Sequence, residues 1–416
     1  MITVLATIAV TITAWLTIAA ALIWVWFRKP LSAEWREPVL RVPVLILESD
    51  DWGPGPEDHA QALRRLSRIL ESFRDGSGRH PVMTLGVVLS IPDAEKMLAA
   101  DLQAYHRLPL SAPRFASFRS AIEDGVGSRV FSLQLHGMEH YWPPALLAKL
   151  RTDDTVRNWL TQGKLPNTEE LPAYLQSRWT DAGSLPSRAI PSNEVGAAVA
   201  EEVAAFSEMF GSIPEVVVPP TFVWDDAAER AWATAGVRVV VTPGRRSEGR
   251  DSRGRLTPPA CQIRNGERSA GGMLYVVRND YFEPAKGHRA HCAVAAVENK
   301  TRRGRPTLLE THRFNFTGTP EATAQSCAEL SGMLGSILER FPDVRFMSTA
   351  ELANHMLAAS PDLVETRFPP RLRIWLVRIR DIPRFRKLAV VTGAGLPLWV
   401  LGWILAFGSR RQVGQP

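Results

Sequence analysis

The stretch "VPVLILESDDWGPGP", residues 42–56, decides how the chain is read. An unbroken apolar run, with no alternation of polar and apolar residues, reads as a strand buried on both faces, the pattern of a parallel sheet. It runs straight into two adjacent carboxylates, Asp50 and Asp51, and then into a Trp-Gly-Pro turn. Like charges side by side at a buried strand end are costly unless a cation sits beside them.

Outward from this strand the pattern repeats. Short apolar runs at 82–89, 129–135, 214–220, 237–242, 307–311 and 344–349 alternate with amphipathic stretches at 56–74, 192–211, 225–236 and 320–341. Ser192 and Asp225 or Asp226 are expected to cap two of these helices. Strands alternating with helices predict an α/β fold, a distorted (β/α) barrel of about seven strands spanning residues 40–358. The Arg-, Gly- and Ser-rich segment 244–270 reads as an exposed loop or hairpin.

Both ends read differently. Residues 2–27 carry no charge and are long enough to cross a bilayer, which marks 1–29 as a retained anchor with no basic segment before it. Residues 388–407 form a second uncharged run, read as a transmembrane helix before a short tail, 408–416. Between barrel and second run, 359–387 is basic, and Leu372, Trp375, Leu376, Ile379 and Ile382 recur at helical spacing. That segment reads as an amphipathic helix on anionic headgroups, ending near Pro383. Arg28, Lys29 and Arg36 after the first run, and the arginines before the second, place the loop 28–387 in the cytoplasm by the positive-inside rule. Of 416 residues, 45% are hydrophobic and 22% charged, enough for a full core. The net charge is +6, and the tail beyond Ala359 accounts for it, so the barrel has no basic face for nucleic acid. The partners expected are membrane lipids and a sugar substrate. Three cysteines, Cys261, Cys292 and Cys327, form no CxxC pair and read as reduced thiols.

The polar residues at strand ends carry the chemistry. Asp50 and Asp51 follow the first strand, His136 and His140 the third, Pro220 and Thr221 the fourth, and His312 the strand at 307–311. In barrels the C-terminal strand ends share one rim, where catalytic residues gather. HxxxH in a helical turn places two imidazoles on one face. With Asp51 as third ligand they make a divalent site with an open position. Asp50 is then free as general base, and His312 across the mouth as acid. The backbone near Thr221 could add an oxyanion donor. Trp52 and Trp224 are candidates to stack on sugar rings.

At these residues the chain resembles the polysaccharide deacetylase superfamily, the NodB-like carbohydrate esterases. The resemblance covers roughly residues 40–358 and implies a base in Asp50, zinc ligands in Asp51, His136 and His140, and an acid in His312. Two family elements are missing. The Arg-x-Pro-aromatic motif appears only as "VVVPPTF", without the arginine that holds the base, for which Arg313 or Asn315 is a substitute by position. No Asp-x-x-x-Trp element is evident, Asp280 being its nearest candidate. The resulting expectation is a membrane-anchored, metal-dependent hydrolase that removes an acyl group from an N-acylated sugar of a polysaccharide or lipid-linked glycan. The alternatives are a glycoside hydrolase, pairing Asp50 with Asp225, Asp226 or Asp280, and a non-catalytic glycan-binding membrane protein.

Overall fold

The apolar runs form parallel strands because their branched side chains are covered on both faces. The structure is a computed structural model, and it describes residues 2–162, 165–259, 262–396 and 400. In chain order the strands are β1 (Val44–Trp52), β2 (Met83–Val87), β3 (Ser90–Pro92), β4 (Arg107–Pro109), β5 (Phe131–Leu135), β6 (Val216–Val217), β7 (Val239–Thr242), β8 (Leu274–Val277), β9 (Asp280–Tyr281), β10 (Thr307–His312) and β11 (Arg345–Phe346). Nine belong to one parallel sheet in the order β8-β7-β6-β5-β2-β1-β10-β9, with β11 on the start of β1; β3 and β4 make a separate antiparallel pair.

The expected seven strands are all present. Two more, β8 and β9, follow the loop-rich segment and curl the sheet into a half-barrel. Among the described residues no ladder joins β8 to β9. Their short runs, "LYVV" and "DY", are broken by Arg278 and Asn279, which hid them in the sequence.

Alternate residues of the strands serve two cores. Leu45, Leu47, Leu85 and Val240 pack outward with the covering helices. Val44, Ile46, Val216, Val218, Val239, Val241, Val276 and Leu308 pack together on the inner face with Leu352, Ala353 and Met356 of the helix Thr349–Leu357. That helix floors the half-barrel, so side chains further along the inner face of β1, Glu48 and Asp50, point toward the open end.

The helices at 56–74, 192–211, 225–236 and 320–341 appear as Asp58–Glu71, Ser192–Phe210, Asp226–Thr234 and Pro320–Arg340. Asp225 caps its helix through the Ala227 and Ala228 amides, whereas Ser192 lies inside its helix behind an uncapped Pro191.

The N-terminal helix, Ile2–Arg36, is long and apolar enough to cross a membrane, and most of its large apolar side chains up to Trp26 are exposed, whereas Phe27 and Leu31 are buried. The stripe at 372–382 belongs to the helix Phe368–Arg378 and the turn after it. It packs against Phe27 and Leu31 near the end of the N-terminal helix. Buried Arg378 ties this join to the barrel, donating to the Glu34, Glu37, Pro38, Arg303 and Gly304 carbonyls. A further helix opens at Pro383 and ends at Val391, with Gly393 in the left-handed region. Half of the second apolar run, 388–407, lies outside the described residues.

Candidate metal and catalytic site

β1 ends in an irregularity. Its pairing with β2 slips between Ser49 and Trp52, and Asp51 takes a positive φ of 68°. For a non-glycine residue this costs on the order of 1 kcal/mol or more, and such strain persists where the surroundings enforce it. In a regular strand Asp50 and Asp51 would point to opposite faces; the slip brings both to the mouth. Gly86 makes room, since a Cβ there would lie 2.3 Å from Asp50 Oδ1.

His136 and His140 do not lie on a helical turn. The chain leaves β5 as irregular bends, with Gly137 at φ 103°, and still brings the rings to a centroid distance of 4.9 Å. Buried ion pairs pin the bend. Glu202 accepts from the Met138 amide (3.0 Å) and from Arg178 Nε (3.0 Å), and Arg178 also holds Glu139 (2.6 Å).

Asp51 Oδ1 lies 3.3 Å from His136 Nε2 and 3.4 Å from His140 Nε2. The edge of a tetrahedron with bonds of about 2.1 Å is about 3.4 Å. These three donors therefore converge as ligands of one small divalent ion would. His136 Nδ1 donates to the Val218 carbonyl at 2.8 Å, which fixes the ring and turns Nε2 toward Asp51. Burial lowers His136, but the Asp50 charge and the Asp51 contact raise it above its ordinary value, so an ion between these groups would displace a proton. Burial raises the Asp51 carboxyl, but His140, His136 and His312 outweigh it and hold the group well below the usual carboxylate range. Burial brings His140 down to about 4 despite Asp51, so it is neutral near pH 7 and able to ligate.

Asp50 is gripped by an arginine the sequence reading missed. Arg278, just beyond β8, holds both Asp50 oxygens, one at 2.8 Å from Nη2, and also pairs with Glu48. Phe222 lies over its guanidinium at 5.8 Å. Burial raises the Asp50 carboxyl, and Arg278 more than offsets this, so Asp50 stays ionised. The substitutes expected by position do other work. Arg313 binds Asn167 (3.0 Å) and Glu169 (3.2 Å) at the rim of the cleft, and Asn315 is buried against Thr311.

His312 sits directly beside Asp50 in the β1–β10 register. Its Nδ1 bonds Glu283, which Asn315 also reaches at 3.4 Å. Asp280 instead pairs with Lys300 at 3.1 Å. Burial lowers His312, but the Glu283 hydrogen bond and the Asp51 and Asp50 charges raise it to about 9. The only advance signal for Glu283 was its place in "NDYFE", five residues beyond the unrecognised Arg278.

Next to this site, and reaching it at Asp51, lies a cleft of about 770 Å³, lined in part by Asp51, His59, Arg114, Trp159, Glu169 and Arg313. Trp52 and Trp224 do not reach it. Both are fully buried, their indole N–H groups given to Ser49 and Glu229, so neither offers a face to a sugar. Pro220 is buried, and the Thr221 hydroxyl bonds Ser177 (2.7 Å) and Arg250 (3.3 Å).

No family model and no curated protein matches the sequence. Among solved structures, the chain is similar to a Parabacteroides distasonis protein described as a glycoside hydrolase/deacetylase (9% identity, TM-score 0.41, 78% of this chain and 73% of that one). It is also similar to a family 4 acetyl xylan esterase from Clostridium thermocellum in complex with a cobalt ion (12%, 0.36, 77% and 94%). A third is a family 4 carbohydrate esterase from Streptomyces lividans in complex with acetate (9%, 0.33, 76% and 96%).

Proposed function

We propose that the chain is a metal-dependent carbohydrate deacetylase, anchored in a membrane by its N-terminal helix, that removes an acyl group, acetyl in the simplest case, from an N-acylated sugar. The observation that carries this reading is the arrangement around Asp50: a three-donor metal site on one side, an arginine clamp behind, and a carboxylate-backed histidine across. Asp51, His136 and His140 would hold the ion, zinc by the nature of the donors. When bound, such an ion supplies Lewis acidity to the reaction.

The remaining work falls to side chains. Asp50, ionised and immobile, takes the proton of a water attacking the acyl carbon. His312, protonated at neutral pH, gives a proton to the amine nitrogen as the C–N bond breaks. Glu283 keeps the imidazole aimed and charged, while the cleft walls hold the sugar. The glycoside hydrolase alternative needs a second carboxylate across the mouth. Asp225 caps a helix, Asp226 pairs with Arg246, and Asp280 pairs with Lys300, so each expected partner is engaged elsewhere.

The test is amine and acetate release from N-acetylated oligosaccharides, measured alongside bound metal. Asp50→Asn is expected to keep the metal and lose at least about 100-fold in turnover, the lower end of the range of about 100- to 10,000-fold for general acid–base catalysis. Release of new reducing ends without acetate would sink the proposal.

A pH profile tests the histidine. The Glu283 hydrogen bond raises His312, so Glu283→Gln lowers its pKa. Because the acid must be protonated, the alkaline limb of kcat/KM is expected to move to lower pH by at least about one unit. An unmoved limb would remove His312 from the acid role.

A further inference from the structure

Strand direction settles which end of the half-barrel meets the anchor. The N-terminal helix ends at Arg36, and β1 begins at Val44, so the helix joins the rim formed by strand N-termini. Its neighbours are at the same rim: Arg305, which precedes β10, pairs with Glu34 and Glu37, and Gly304 packs on Val39. Asp50 and His312 stand at the other ends of the same two strands.

The boundary of the apolar segment is also marked. Trp24 and Trp26 are exposed, and Arg28, Lys29 and Arg36 follow within three turns. Together with Arg268 these three cations line a pocket of about 850 Å³ between helix and barrel; the two carboxylates in its lining, Glu37 and Glu267, are paired with Arg305 and Arg264. Exposed tryptophans followed by cations are the signature of a bilayer surface, and a basic pocket there suits anionic headgroups. From Arg28 to Arg36 the helix rises about 12 Å, and from Leu45 to Asp50 the strand rises about 16 Å.

We infer that the domain stands on the bilayer by its strand-N-terminal rim, with Arg28, Lys29, Arg36 and Arg268 at anionic headgroups, and that its catalytic mouth faces away, up to on the order of 30 Å from the surface. The substrate class follows: an N-acylated sugar within a polymer or a long glycan chain, not the sugar next to a lipid headgroup. This rests on the deacetylase and anchor readings above, but the geometry can be tested without activity.

The full chain, its three native cysteines replaced by serine, is labelled with one fluorophore and placed in vesicles containing anionic phospholipid and headgroup-nitroxide lipid. The label goes at Asp362→Cys, exposed beside the Leu40–Val364 bridge at the base, or at Glu170→Cys, exposed at the cleft. Quenching is expected to be several-fold stronger at 362 than at 170. Equal quenching, stronger quenching at 170, or none at either position would overturn the orientation. On the same vesicles, a long soluble N-acetylated oligosaccharide is expected to be deacetylated at least about 10-fold faster than one N-acetylated sugar on a short lipid anchor. The reverse preference would overturn the substrate class, whereas a protein inactive on both with the expected quenching would count against the deacetylase reading alone.

Discussion

Replacing Arg278 by methionine is expected to lower deacetylation by at least about 100-fold and to destabilise the fold by about 3–5 kcal/mol. The stability loss comes from what Arg278 leaves behind: Glu48 and Asp50 are in direct contact with it, Glu310 lies 3.8 Å away, and all three are buried. Removing one partner of a buried ion pair leaves charge uncompensated, which costs that much. The rate loss comes from position and charge. An untethered Asp50 can swing by an ångström, a displacement worth about 100-fold, and its pKa rises because burial is no longer opposed. The sign is definite: Arg278 holds the carboxyl down, so without it the acidic limb of kcat/KM moves to higher pH. Arg278→Lys keeps a charge without the two-pronged grip. It is expected to retain most of the stability while showing the displaced limb. Wild-type pH dependence in a folded Arg278→Lys variant would show that the arginine is structural only. The measurements are thermal unfolding and a pH–rate profile on one oligosaccharide.

Arg278 also shows where the sequence stopped being legible. Long uninterrupted runs such as "VPVLILES" announce buried parallel strands, and the polar residues just after them announce the rim, so Asp50, Asp51, His136, His140 and His312 could be found from pattern alone. β8 and β9 are short and joined through Arg278 and Asn279, so periodicity had nothing to grip. The guanidinium expected after β6 arrives instead from the far edge of the sheet, close in space only because the sheet curls. Glu283 was hidden for the same reason. Trp52 failed in the opposite sense. Following two aspartates on a turn it looked like a cleft residue, yet the slip that turns both carboxylates to the mouth sends the next side chain into the core, against Phe118. A one-residue irregularity of this kind leaves no trace in composition or periodicity, and it accounts for the adjacent acids.

Replacing His136 by alanine is expected to abolish stoichiometric binding of a divalent ion and to reduce acyl release by at least about 1000-fold, which is roughly 4 kcal/mol of transition-state stabilisation. Three ligands leave no redundancy. With one imidazole gone, Asp51 and His140 remain as a two-donor site, below the three protein ligands of catalytic zinc centres. The loss also reaches backwards into the fold, because the Val218 carbonyl surrenders the hydrogen bond from His136 Nδ1. A glutamine tests that separately: His136→Gln retains a polar side chain at the same depth, so it is expected to unfold closer to wild type while binding the ion as poorly as alanine. Metal content by elemental analysis, with unfolding followed in parallel, distinguishes the two effects. Zinc added to the apo wild type should raise its unfolding temperature, since a ligand that binds only the folded state stabilises it by mass action. Neither His136 variant should respond. If His136→Ala holds one ion per chain at wild-type affinity, the three donors are not the metal site, and Asp51 at its strained φ has no cation to justify it.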